Sequence, residues 1–198
     1  MKIVFATRNE GKVREIREML RFSDVELISL NEFDAIPDIV EDGQTYLENA
    51  LKKAKIISEM TGETVLADDS GLSVDILNGE PGVYSARYAG EKATDEDNIT
   101  KLLEKLKNIP EHKRKASFFC ALVLYDPDGQ YCSFEAGWAG RIIDEGRGKN
   151  GFGYDPIFLC PGLNKTAAEL SPDIKNTVSH RGQAFAKLKA YLDRGCNR

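Results

Sequence analysis

The chain alternates between short apolar runs and stretches in which apolar residues return every three or four positions, the pattern of an α/β fold. Lys2 to Ala6 predicts a first strand, and Val13, Ile16, Met19 and Leu20 predict an amphipathic helix running to about Arg21. Val25 to Leu30 predicts a second strand, followed by a polar, acidic segment from Asn31 to Asp42 that contains Pro37. Thr45 and Glu48 form a capping-box pattern ahead of a helix whose inner stripe is Leu47, Ala50, Leu51, Ala54 and Ile57. Thr64 to Ala67 predicts a buried strand that ends in Asp68-Asp69-Ser70-Gly71, a turn signal, and Leu72 to Leu77 alternates enough for another strand. Thr94 and Asp97 cap a helix with Ile99, Leu102, Leu103 and Leu106 inward. Pro110 to Lys115 is a basic connector. Ala116 to Tyr125 and Gln130 to Ile143 predict a strand pair around the turn Asp126-Pro127-Asp128-Gly129. Thr166 to Leu170 suggests a short helix, and Ala184, Phe185, Leu188 and Leu192 line a last one.

Polar residues collect where these elements end. Thr7-Arg8-Asn9-Glu10-Gly11-Lys12 is a glycine-containing loop between a strand and a helix start, where free backbone N–H groups favour an anion and Arg8 and Lys12 add charge. It lacks the Walker spacing. Two acids at the carboxyl end of a buried strand stand where open α/β sheets place ligands. Neighbouring side chains of an extended stretch face opposite ways, so Asp68 and Asp69 should serve different ends. A carboxylate there suits a hard cation such as Mg2+, while the same four residues also suit a backbone-capping turn. Lys52, Lys53 and Lys55 decorate the second helix, each ordinarily solvated, yet a lysine on the inner edge could reach a ligand. Gly146 to Pro156 holds four glycines, two cations, Phe152 and Tyr154, so backbone can approach a ligand closely and rings can stack on a base. His180 and Arg181, read as a surface pair preceding the last helix, can donate to a keto group or a phosphate.

Composition narrows this picture. A chain of 198 residues, 41% hydrophobic and 30% charged, suits one globular domain, and a net charge of −5 offers nothing to a nucleic-acid polymer or an acidic membrane. Cys120, Cys132, Cys160 and Cys196 form no Cys-x-x-Cys pair and read as reduced thiols. The N-terminus enters a strand without the pattern of a signal peptide, no apolar run approaches membrane-spanning length, and the cytoplasm is expected.

Six stretches, in order along nearly the whole chain, resemble the inosine triphosphate pyrophosphatase family: Thr7 to Lys12, Glu41 through Lys53, Leu66 to Leu72, Pro81 to Tyr88, Gly151 to Pro156, and Ser179-His180-Arg181-Gly182. The resemblance implies an elongated mixed β-sheet flanked by helices, one domain of two lobes with a central active-site cleft, and a homodimer. It implies Mg2+-dependent hydrolysis of deaminated purine nucleoside triphosphates (ITP, dITP, XTP) to monophosphate and pyrophosphate, which keeps them out of DNA and RNA. Carried over residue by residue, Thr7, Arg8, Asn9, Glu10, Gly11 and Lys12 would hold the phosphates and Lys53 would add charge. Asp69 would be the base and a metal ligand, with Glu41 the other ligand and Asp68 in support. Ser70 would contact the nucleotide, Phe152, Gly153, Tyr154 and Asp155 would enclose base and sugar, and Lys175, His180 and Arg181 would read the purine edge.

The chemistry suits these residue types. Cations beside a triphosphate offset its charge and allow attack at the α-phosphorus. A metal-bound aspartate is a weak base, so Asp69 serves either as proton acceptor or chiefly as metal holder. Donors facing a 6-keto oxygen would be left unpaired by adenine. Two other readings share much of this pattern: a pyrophosphatase for another modified, pyrimidine nucleotide, and a nucleotide sensor that does not turn over.

Overall fold

The first apolar run forms β1 (Lys2–Phe5), whose last three residues are buried. The computed structural model describes residues 1–20, 25–33, 36–37 and 39–194, so Arg21 and Cys196 lie outside the described residues. Helix α1 (Glu10–Leu20) begins earlier than its apolar stripe implies. The Asn9 side chain accepts the Lys12 N–H at 3.1 Å and acts as the cap, so Glu10, Gly11 and Lys12 occupy the first helical turn rather than a loop. Next come β2 (Glu26–Ser29) and α2 (Tyr46–Thr61). Helix α2 opens on the expected capping box of Thr45 and Glu48 and closes on Gly62, whose φ of 68° is the left-handed cap conformation.

The expected turn at Asp68-Asp69-Ser70-Gly71 is absent. One strand, β3 (Val65–Val74), runs through it, and the two acids sit mid-strand. The alternation read from Leu72 to Leu77 is the end of this strand plus a short 3-10 turn over Asp75–Leu77. Turn-forming residues are overridden here because the strand is buried almost throughout and its neighbours satisfy the backbone. After a 3-10 stretch at Gly82–Arg87 come α3 (Asp95–Leu106), β4 (Lys115–Tyr125) and β5 (Tyr131–Ile142). Two short strands, β6 (Phe158–Cys160) and β7 (Lys165–Thr166), and a helix of about two turns, α4 (Pro172–Val178), are too short to leave a periodic signal. The residues read as a short helix at Thr166 to Leu170 are a 3-10 turn over Ala167–Glu169. Helix α5 (His180–Asp193) starts at the histidine itself, because only Ser179 separates it from α4.

The strands form one mixed seven-stranded sheet in the order β2-β1-β3-β4-β5-β6-β7. β1 is parallel to β2 and to β3, whereas β6 is antiparallel to β5 and β7. By contacts the chain falls into two compact units. The first comprises Met1–Asp69, Cys120–Ala136 and the described residues from Arg181 on; the second comprises Ser70–Phe119 and Gly137–His180. In the first unit the sheet is covered on both faces. Val13, Ile16, Ala184, Phe185 and Leu188 from α1 and α5 pack on Ile3, Phe5, Leu66 and Leu122. On the other face Ala50, Ala54 and Ile57 of α2 pack on Val4, Val65, Ala67 and Val123. The second unit has its own core, in which Leu102 and Leu106 of α3 join Leu72, Phe118, Trp138, Ile142 and Phe158. Among the described residues no helix is long and apolar enough to cross a membrane.

Candidate active site

Strand β3 places its two acids against different helices, as an extended backbone requires. Asp68 is fully buried and faces α1 and α5. Its carboxylate forms ion pairs with Lys12 and with Arg181, the latter at 3.0 Å. Arg181 is 2% exposed and is also held by Glu15 at 2.6 Å. Burial opposes the charge on Asp68, but Arg181 and Lys12 overcome it and hold the carboxyl well below the usual carboxylate range. Burial likewise opposes the Lys12 ammonium, and Asp68 more than offsets that. The cluster closes with Cys120, whose Sγ lies 3.3 Å from Asp68 Oδ2. Burial, and then the neighbouring carboxylate, push this thiol well above its ordinary value. Cys120 is therefore expected to resist iodoacetamide in the folded chain and to react after denaturation, a difference read by mass spectrometry.

Asp69 faces α2. Helix α2 presents Asn49 and Lys53 four residues apart on its buried side, so both side chains reach the same strand. Asn49 Nδ2 donates to Asp69 Oδ2 at 3.0 Å. The Lys53 ammonium donates to the Asp68 carbonyl at 2.7 Å and to Glu41 Oε1 at 2.9 Å, and lies 4.0 Å from Asp69 Oδ1. Glu41 and Asp69 are thus two carboxylates drawn onto one amine. Burial raises the Asp69 pKa above its ordinary value and the negative Glu41 adds to this, while Lys53 and Lys12 pull the other way. Of the three lysines of α2, Lys52 and Lys55 stay at the surface, paired with Asp42 and Glu59, and only Lys53 is buried.

The first loop and helix start are built around backbone. Thr7 Oγ1 accepts the Asn9 N–H, and Arg8 donates to the carbonyls of Leu30 and Ile36 at 3.3 and 2.6 Å. Glu10, an acid in the first turn of α1, accepts from Asn31. In the second unit, Asp155 is the hub. Its Oδ2 accepts the Phe152 N–H at 2.9 Å and the Lys175 ammonium at 2.6 Å, and that ammonium lies 5.2 Å from the centre of the Phe152 ring. Gly151 is required here: its φ is +77°, and a Cβ would fall 2.0 Å from Asp155 Oδ2. Gly153 donates its N–H to Asp95 at 2.6 Å, and Tyr154 donates its hydroxyl to the Ser85 carbonyl at 2.9 Å. Ser70 is half-buried on β3. His180 is stacked on Phe118, with ring centres 4.8 Å apart and planes 11° from parallel.

The reading of His180 and Arg181 as a surface pair preceding the last helix is corrected. Both are buried in the first turn of α5, and the Arg181 guanidinium is committed to Asp68 and Glu15. Replacing Arg181 would therefore open a core ion cluster along with any contact to a base. Asn49, Glu15, Cys120 and Asp95 were missed by the sequence reading. Asn49 had a signal, since it lies beside Ala50 of the apolar stripe and four residues before Lys53. The others had none, because their partners are distant in sequence.

Residues 3–191 match the Ham1 family. The chain is 50% identical over 191 residues to a dITP/XTP pyrophosphatase of Geobacter sulfurreducens, with 96% of each chain covered. It is also 50% identical over 192 residues to a dITP/XTP pyrophosphatase of Bacillus licheniformis, covering 97% of this chain and 98% of that one. Among solved structures it resembles a HAM1 protein from Coxiella burnetii, with a TM-score of 0.89, 45% identity, and coverage of 98% of this chain and 100% of the other. Sequence matches and backbone likeness both extend from end to end, and the chain belongs to the Ham1 family.

Proposed function

We propose that this chain is a Mg2+-dependent nucleoside-triphosphate pyrophosphatase that converts the deaminated purine nucleotides ITP, dITP and XTP to monophosphate and pyrophosphate. The reaction class rests on family membership and on relatives that are dITP/XTP pyrophosphatases. The observation that carries the chemistry is the convergence of Glu41 and Asp69 on the Lys53 ammonium, 2.9 and 4.0 Å away. Mg2+ is commonly held by one or two carboxylates together with substrate phosphates, and this pair of oxygen donors fits it. Among the described residues no cluster of three or more metal-ligating side chains forms.

When bound by Glu41 and Asp69, Mg2+ supplies charge neutralisation at the phosphates. The residues of this chain do the rest. Lys12, at the N-terminal turn of α1, and Lys53 offset the charge that grows on the phosphoryl oxygens. Thr7, Arg8, Asn9, Glu10 and Gly11 shape the backbone around the phosphates. Asp69 orients the attacking water and accepts its proton at a carboxylate oxygen. Asp68 fixes Lys12 and the strand. Ser70 contacts the nucleotide. Phe152, Gly153, Tyr154 and Asp155 enclose base and sugar, and Lys175, His180 and Arg181 serve recognition of the purine. The enzyme acts in the cytoplasm as a homodimer and clears these nucleotides before they enter DNA and RNA.

The test is pyrophosphate release across ITP, dITP, XTP, GTP, ATP, CTP and UTP. Strong preference for ITP, dITP and XTP, with monophosphate as co-product, is expected. Preference for a pyrimidine overturns the substrate assignment, and tight binding without turnover overturns the reaction. Excess EDTA is expected to abolish turnover and added Mg2+ to restore it; activity that survives EDTA overturns the metal requirement.

A further inference from the structure

We infer that Asn49 is a positioning residue, an amide clamp that fixes the loop carrying Glu41 against Asp69 and so sets the spacing of the two metal-holding carboxylates. The inference rests on the reading of Glu41 and Asp69 given above. The Asn49 side chain is fully buried. Its Oδ1 accepts the Gly43 N–H at 2.8 Å and its Nδ2 donates to Asp69 Oδ2 at 3.0 Å. The orientation of the amide follows from these partners: flipped, it would set N–H groups against an N–H and an oxygen against a carboxylate. Both functions of one short side chain are therefore used, one on the loop two residues beyond Glu41 and one on the strand.

Two further facts mark this as a site and not as ordinary core. Asn49 stands beside Ala50 at the edge of the face on which Ala50, Ala54 and Ile57 pack against the sheet, where an alanine or leucine would suit both the helix and the core better. Gly43, in turn, is shaped to the clamp. A Cβ there would lie 2.7 Å from Asn49 Oδ1 and 2.9 Å from Glu48 Cβ, so the close approach of the loop depends on the missing side chain. Of the contacts that α2 makes with this loop, the Lys53–Glu41 and Lys52–Asp42 pairs use flexible amines, whereas the amide of Asn49 is planar and short.

The experiment compares wild type, Asn49→Ala and Gly43→Ala in three measurements. These are melting temperature, Mn2+ binding by electron paramagnetic resonance without nucleotide, and pyrophosphate release from ITP across a Mg2+ series. Loss of a group that orients metal ligands typically costs about 10–100-fold in metal affinity or activity. Asn49→Ala is expected to weaken Mn2+ binding and to raise the half-saturating Mg2+ within that range. Its kcat should fall, while KM for ITP at saturating Mg2+ moves little. Gly43→Ala keeps every hydrogen-bonding side chain and should shift the same parameters in the same direction with a melting temperature near wild type. If either variant folds and keeps wild-type Mn2+ affinity and Mg2+ half-saturation, the clamp is overturned, even if kcat falls. A wild type that binds Mn2+ but releases no pyrophosphate overturns the catalytic reading alone, and the Mn2+ arm still decides the clamp. A wild type that does neither overturns both.

Discussion

Asp69→Asn is expected to leave a folded chain with turnover of ITP reduced by about three orders of magnitude at saturating Mg2+, the scale of losing a proton acceptor together with a metal ligand. The substitution keeps the shape of the side chain in a pocket bounded by Asn49 and Lys53. It removes the charge that balances the Lys53 ammonium and the oxygen that takes the proton from water. Folding should survive, because the Asp69 carboxylate forms none of the close ion pairs that hold Asp68, Arg181 and Glu15 together, and Lys53 retains Glu41 and the Asp68 carbonyl. The assay is pyrophosphate release, with circular dichroism and a melting curve as the control. Activity within a few-fold of wild type would remove Asp69 from both roles.

Asp68→Ala should act on the other axis. Removing this carboxylate leaves Arg181 and Lys12 with uncompensated charge in the core, and breaking a buried pair by deleting one partner costs about 3–5 kcal/mol. Glu15 still holds Arg181 and Lys12 keeps a path to solvent, so the loss should fall near about 3 kcal/mol, or roughly 6–12 °C in melting temperature for a chain of this size. Because the folded-state pKa of Asp68 is depressed, its contribution is present in full above about pH 4 and is lost as pH falls below that toward its folded value. The gap between wild type and Asp68→Ala should therefore stay constant through neutral pH and narrow only in strong acid. A melting temperature within two or three degrees of wild type at pH 7 would show that the cluster contributes little net stability. Adjacent residues of one strand would thus separate cleanly into one that chiefly supports catalysis and one that chiefly supports the fold.

Much of this arrangement was legible in the sequence where the cause is local. Thr45 with Glu48 and Thr94 with Asp97 announce helix starts within four residues, and the structure has both capping boxes where expected. The apolar stripe of α2 is equally local and left open which of its lysines lies on the inner edge; the family resemblance named Lys53, which the structure buries. The alternation of side chains along a strand was enough to divide Asp68 from Asp69. The failures have a common physical origin. Asp-Asp-Ser-Gly is a turn by intrinsic preference, and it is a strand here because long-range pairing and ion pairs outweigh that preference. The start of α1 was misplaced because the apolar stripe begins at Val13 while the cap at Asn9 fixes the helix three residues earlier. His180 and Arg181 look like surface residues because nothing within their own stretch balances a guanidinium. Its counter-charges come from residues 15 and 68. Short strands such as β6 and β7 lack a full period and cannot be read from pattern alone.

The position of Arg181 in the chain also bears on synthesis. Lys12, Glu15 and Asp68 leave the ribosome early, and together they carry one positive and two negative charges destined for the same enclosed space. The guanidinium that joins Glu15 and Asp68 arrives only with the first turn of the last helix. A nascent or truncated polypeptide ending before that turn holds one acid in excess of its cation in that interior. Closure of the first unit around these charges therefore waits for α5, which follows its other elements in chain order.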